Sequence, residues 1–129
     1  MLDKCKKEDS IRIRLPLPIS INCAYSWYYK RHKSEKYQEW ITEAELSLMT
    51  QKSFTIRGDK WLLAEYDFNF PLFTKKWKKR IIDVWNYEKV LSDFLVKQIP
   101  WFEDHKIKTL ILRKHDNNDK FVDITIREL

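Results

Sequence analysis

The chain has 129 residues, 43% of them hydrophobic and 15% aromatic, enough for one packed domain and too apolar for a disordered chain. Gly58 is the only glycine, which excludes P-loop, dinucleotide-binding and kinase-type phosphate loops, and with them a nucleotide cofactor. The formal net charge of +6 favours a polyanionic partner. No apolar run approaches the roughly 20 residues that span a bilayer, and the charged start leads into no apolar signal region, so a cytoplasmic protein is expected. Cys5 and Cys23 have no metal-binding spacing and are expected as reduced thiols rather than a disulfide.

Residues 1–10 are expected to be flexible. Ile11-Arg12-Ile13-Arg14-Leu15 alternates apolar with basic, a strand pattern that Pro16 and Pro18 end. Ser20 to Ser34 reads as a polar, aromatic-rich loop containing Asn22 and the basic residues Lys30, Arg31 and Lys33. Ser34 before Glu35 is a helix start, and Tyr37, Trp40, Ile41, Ala44 and Leu48 recur at helical spacing, predicting a helix over Glu35 to Met49. Arg57-Gly58-Asp59 reads as a turn. Leu62 to Phe70 reads as a strand, with Tyr66, Phe68 and Phe70 on one face and Glu65, Asp67 and Asn69 on the other.

The next segment, Lys75-Lys76-Trp77-Lys78-Lys79-Arg80, holds five cations in six residues. A second helix fits Asp83 to Lys97, burying Val84, Tyr87, Val90, Leu91, Phe94 and Leu95. Ile107 to Lys114 and Phe121 to Arg127 are two further strands. The turn residues Asp116-Asn117-Asn118-Asp119 between them predict a hairpin. The whole is one α+β domain over 1–129, with two main helices on a mixed sheet of about four strands.

Asp83, Asn86, Lys89 and Asp93 lie three, three and four residues apart, which aligns them along one polar stripe of the second helix. Glu103 and Asp104 follow just beyond it. Spacing alone leaves a plain alternative open: a helix cap at Asp83, a surface pair between Lys89 and Asp93, and a solvated turn at Glu103-Asp104.

The run from Asp83 to Leu95 (DVWNYEKVLSDFL) resembles the helix motif Asp-x-Asp-Asn-x-x-Lys-x-x-x-Asp-x-Leu of the RusA family of Holliday-junction resolvases. Trp101 to Ile107 (WFEDHKI) is similar to that family's downstream acidic pair followed by a strand. Leu15 to Asn22 (LPLPISIN) resembles its proline-rich start with Ser and Asn, and the basic run before Asp83 sits where the family has its own. The resemblance implies a RusA-like fold and a homodimer that cuts branched DNA with Mg²⁺ or Mn²⁺. It implies Asp83 and Asp104 as metal-binding carboxylates and Lys89 as the active-site lysine, with Asn86, Asp93 and Glu103 in support. It also implies DNA-backbone contacts from Lys75, Lys76, Lys78, Lys79 and Arg80, with Asn22, Lys30, Arg31 and Lys33 as looser candidates.

The chain departs from the family pattern at Trp85, which stands where the motif has its second aspartate. An indole cannot ligate Mg²⁺. Either another carboxylate compensates, with Glu88 and Glu103 as candidates, or cutting is impaired. Trp85 itself allows two readings: packing against the first helix or a second subunit, or stacking on an unpaired base. The expected function is a metal-dependent, structure-selective endodeoxyribonuclease of bacterial or phage origin. The alternatives are a non-cutting binder of branched DNA and a small RNA-binding or protein-interaction module.

Overall fold

The computed structural model describes residues 10–20, 25–28, 30–51, 61–73, 76 and 84–129, with backbone alone for 25–28 and 30–32. In chain order these form β1 (Ser10–Pro16), β2 (Tyr25–Tyr28), β3 (Lys30–Lys33), α1 (Glu35–Met49), β4 (Leu62–Phe70), α2 (Trp85–Gln98), β5 (Ile107–Asp116) and β6 (Phe121–Glu128). A short 3-10 turn, Asp104–Lys106, precedes β5. Two helices on a four-stranded mixed sheet make the α+β arrangement that the periodicities predicted. Among the described residues no helix is long and apolar enough to cross a membrane.

The strand order is β1-β6-β4-β5. β4 is central, antiparallel to β6 and parallel to β5. Its inward residues Leu62, Ala64, Tyr66 and Phe68 are fully buried. They meet Ile11, Ile13 and Leu15 of β1 and Val122, Ile124 and Ile126 of β6 in one core. The helices cover this face of the sheet only.

α1 starts where its cap predicts: Ser34 Oγ accepts the Tyr37 amide at 3.2 Å. Trp40 ties the layers together, donating its indole N–H to the Pro16 carbonyl at 2.9 Å and meeting Phe94 edge-on, with centroids 5.1 Å apart. α2 buries Val90, Leu91, Phe94 and Leu95. It stops at Ile99, whose backbone is extended (φ −116°, ψ 107°) because a following proline disfavours the helical region.

Several expectations need correction. β5 and β6 do not form a hairpin, because β4 lies between them and pairs with both. The Asp116–Asp119 turn instead crosses the end of β4. The Asn117 amide donates to the Phe70 carbonyl at 3.1 Å, Asp116 Oδ1 accepts the Leu72 amide at 2.9 Å, and Asn117 Oδ1 accepts the Asp119 amide at 3.0 Å. The apolar inner face of β4 explains the insertion, since a central strand buries more of it than an edge strand would. The expected loop from Ser20 to Ser34 contains the small β2–β3 antiparallel pair, with Tyr25 opposite Lys33. Ser10, grouped above with a flexible start, is the first residue of β1 and pairs with Arg127. The described part of α2 begins at Trp85, and Tyr87 is half-buried rather than buried.

Candidate functional site

α2 packs on β4 through one unusual position. Ser92 lies among the apolar residues of the buried face, only 6% exposed. Its Oγ contacts the Tyr66 hydroxyl of β4 at 2.9 Å and donates to Glu88 Oε2 at 2.6 Å, one helical turn back. On the neighbouring, exposed side of α2, Lys89 Nζ donates to Asp93 Oδ1 at 3.1 Å. Asp104 stands at the start of the 3-10 turn that follows α2.

Electrostatics place these groups in one neighbourhood. The Lys89 ammonium is held above its ordinary pKa, first by the hydrogen bond and charge of Asp93, then by the charges of Asp104 and Glu88. The Tyr66 phenol is pushed up by burial, against the opposing Ser92 bond, with smaller raising contributions from the charges of Glu88 and Asp104. The structure therefore gathers Glu88, Lys89, Asp93 and Asp104 around the exposed side of α2 and the turn beyond it. Glu103 is turned to side chains of its own segment, Lys106 at 3.3 Å and His105 at 3.2 Å. Asn86 is half-buried in the first turn of α2.

Trp85 is 64% exposed, so it is not buried in the domain. Asp83, Asn22, Lys75, Lys78, Lys79 and Arg80 fall outside the described residues, and Lys30 and Arg31 are described by backbone alone, within β3. Lys76 is exposed. Lys33 stands 5.4 Å from the Tyr37 ring centre, and its pKa is lowered by burial and then by the adjacent Lys97, against an opposing pull from Asp93. This brings a cation of β3 beside the polar side of α2.

Three contributors escaped the sequence reading: Ser92, Tyr66 and Lys97. Ser92 carried a usable signal, a hydroxyl on an apolar stripe four residues after a glutamate. Tyr66 carried another, as the single hydroxyl on the core face of β4.

Among the described residues, no three of His, Cys, Asp and Glu converge on one point. Glu88 and Asp104 nonetheless offer the oxygen donors that hard divalent cations choose, both within electrostatic reach of Lys89 and Tyr66. The bond from Ser92 occupies one oxygen of Glu88, and among the described residues nothing bonds the other. Both carboxylates are donors of the kind such an ion takes.

A second charged region lies on the uncovered face of the sheet. A concavity of about 640 Å³ opens there, lined by residues including Arg12, Arg14, Glu65, Asp67, His115 and Asp123. Its carboxylates already have partners: Asp67 meets the His115 ring at 2.7 Å and Arg113 at 3.2 Å, Glu65 pairs with Arg113 at 3.3 Å, and Asp123 with Arg14 at 2.7 Å. This is the face that the helices leave uncovered.

The architecture defines a small α+β domain with a helix bearing both carboxylates and lysines laid on a mixed sheet. Residues 18–127 match the family model described as Endodeoxyribonuclease RusA. The chain belongs to the RusA family of Holliday-junction resolvases. No curated protein matches the chain.

Proposed function

We propose that the protein is a metal-dependent, structure-selective endodeoxyribonuclease that resolves four-way junctions by paired nicks, acting as a homodimer in the cytoplasm of a bacterial or phage-infected cell. The observation that carries this reading is the juxtaposition of Lys89 with Glu88, Asp93 and Asp104 within a chain of this family. Asp83, Asp104 and Glu88 would hold Mg²⁺ or Mn²⁺. Glu88 is preferred to Glu103 because its charge reaches Lys89 and Tyr66, whereas Glu103 is engaged by His105 and Lys106. A cation held there supplies an activated water and stabilises developing negative charge.

Lys89 carries its ammonium at every working pH. It balances charge on the pentavalent transition state, or passes a proton to the leaving 3′ oxygen. Asp93 orients that ammonium through the 3.1 Å bond, and Asn86 supports it from the turn before. Lys76, with Lys75, Lys78, Lys79 and Arg80, tracks the DNA backbone, and Lys33 and Lys97 extend the track beside α2. Such contacts bind by charge and junction shape rather than by base sequence. Two symmetry-related sites suit a nearly two-fold junction.

A nicking assay tests the reading. It uses a synthetic four-way junction with Mg²⁺, Mn²⁺ or EDTA, alongside linear duplex and Asp83→Asn. Paired, metal-dependent nicks that vanish in Asp83→Asn are the expected result. The exposure of Trp85 favours a second reading, in which this ring stacks on an unpaired base and the chain binds junctions without cutting. Tight junction binding with no nicks under either metal would select it. Equal affinity for junction and duplex would defeat both.

A further inference from the structure

Ser92 is the one polar residue on the buried stripe of α2, and a buried hydroxyl is costly unless it is bonded. A serine hydroxyl has a single proton to give. That proton goes to Glu88 Oε2, at a length of 2.6 Å typical of a hydroxyl on a carboxylate. Tyr66 must therefore be the donor in its 2.9 Å contact with Ser92 Oγ. The direction of the chain is fixed: Tyr66 to Ser92 to Glu88. Burial keeps the phenol protonated, so the first donor is permanent.

The chain is rooted in β4, the central strand, and ends on a carboxylate whose charge, like that of Asp104, acts on Lys89. Glu88 also lies one helical turn after Trp85, on the same side of the helix. A packed core does not require these hydroxyls, because an apolar pair of the same shape fills such a space about as well. What the hydroxyls add is a fixed rotamer for Glu88. A glutamate on a helix surface otherwise samples several, and a ligand must be held before the ion arrives.

We infer that Tyr66 and Ser92 are positioning residues that hold the Glu88 carboxylate as the oxygen ligand replacing the aspartate absent at Trp85. This rests on the metal-dependent reading above. It assigns to the core of this chain a role that the helix motif does not contain, since Tyr66 lies on another element and positions 88 and 92 are unspecified in the motif.

The test measures Mn²⁺ binding by isothermal titration to the full chain without DNA. It compares the unaltered protein with Asp83→Asn, Glu88→Gln, Ser92→Ala and the double variant Tyr66→Phe/Ser92→Ala. The double variant removes both hydroxyls together and so leaves no orphaned polar group, and urea unfolding of each variant checks that it is folded. The expected result is a loss of affinity in Glu88→Gln and a loss of roughly 10-fold or more in the double variant, the scale for removing a partner of a ligand. Tight binding in the folded double variant together with weak binding in Glu88→Gln would overturn the positioning role alone. Unchanged binding in Glu88→Gln would overturn the ligand role of Glu88 and the positioning role with it, leaving an Asp83-dependent site intact. No Mn²⁺ binding by the unaltered chain would overturn the metal-dependent reading itself.

Discussion

Asp67 on β4 and Asp123 on β6 stand directly opposite each other across the antiparallel pair, on the uncovered face of the sheet. Like charges at opposed positions destabilise a sheet. The next strands outward neutralise them: Arg14 lies opposite Asp123 on β1, and Arg113 opposite Asp67 on β5. The row reads plus, minus, minus, plus. Arg14 is held by two bonds to the Asp123 carboxylate, at 2.7 and 3.1 Å, and that partner raises the guanidinium pKa. Arg14→Gln is therefore expected to destabilise by about 1 kcal/mol at low salt, the upper end for an exposed pair, because two carboxylates then face each other. The cost shrinks at high salt, and Asp123→Asn added to Arg14→Gln recovers most of it. Urea unfolding of the four members of this double-mutant cycle, at two salt concentrations, checks the prediction.

Ser92→Ala alone leaves the Tyr66 hydroxyl buried without its partner. A loss of about 1–3 kcal/mol in unfolding free energy is expected. Tyr66→Phe on the same background removes the orphaned group and restores much of that loss. Equilibrium denaturation of the two variants decides. A double variant less stable than Ser92→Ala would show that Tyr66 contributes by another route.

Lys89→Met is expected to lower the nicking rate by roughly 10²–10³-fold, on the scale of removing a group that stabilises transition-state charge. Junction affinity and stability should change little, since the side chain is well exposed. The sign of its pKa shift has a second consequence. A lysine whose folded pKa is raised contributes stability that is complete below the ordinary lysine value and is lost only as pH climbs through the raised one. No loss of cleavage from Lys89 titration is therefore expected up to the ordinary lysine range. Single-turnover rates across alkaline pH, compared between the unaltered chain and Asp93→Asn, report this. The variant should lose its lysine charge earlier.

Lys33 has the opposite sign. Burial and the adjacent Lys97 lower its pKa, so the unfolded chain binds its proton more tightly, and stability rises as pH rises from the lowered value to the ordinary one. Lys33→Gln is expected to raise the melting temperature at neutral pH while weakening junction binding. It should also flatten the dependence of affinity on salt by about one counterion. Thermal unfolding and a salt titration of binding separate the two effects.

At the β1 edge, the Gln51 side-chain amide donates to the Arg14 carbonyl at 2.7 Å and accepts the Arg14 amide at 2.9 Å, as a neighbouring strand would. Gln51→Ala is expected to cost about 1 kcal/mol and to increase self-association through the uncovered edge. Denaturation and light scattering at matched concentration measure the two.

Much of this architecture is written in local patterns. The alternation of β1, the bounds of β4 and the cap at Ser34 all follow from residues within one turn or one strand of each other. What sequence misread was neighbourhood. Asp116-Asn117-Asn118-Asp119 has the composition of a hairpin turn, and nothing local reveals that β4 slots in behind it. The site divides in the same way. Lys89 and Asp93 stand out in the sequence because helical spacing and the family motif coincide there, and Asp104 because it falls in the downstream acidic pair. Ser92 drew no role from the sequence, because its partner Tyr66 is on another element and only the packing of α2 on β4 brings the two hydroxyls together. Glu103 looked equivalent to Glu88 in the sequence and is set apart by its bonds to His105 and Lys106.

The turn that crosses β4 also bears on how the chain reaches this state. A hairpin zips from its turn within microseconds. Here the strands joined by the shortest turn in the sheet have no ladder to zip. Every pairing in the four-stranded sheet joins segments far apart in sequence, β1 with β6 at the two ends of the chain being the extreme. Folding must close long loops before any ladder contributes stability, which places it in the slow, millisecond-to-second range of non-local topologies. Until β5 and β6 have paired with it, β4 has both of its edges open. That interval is when this chain is most exposed to aggregation.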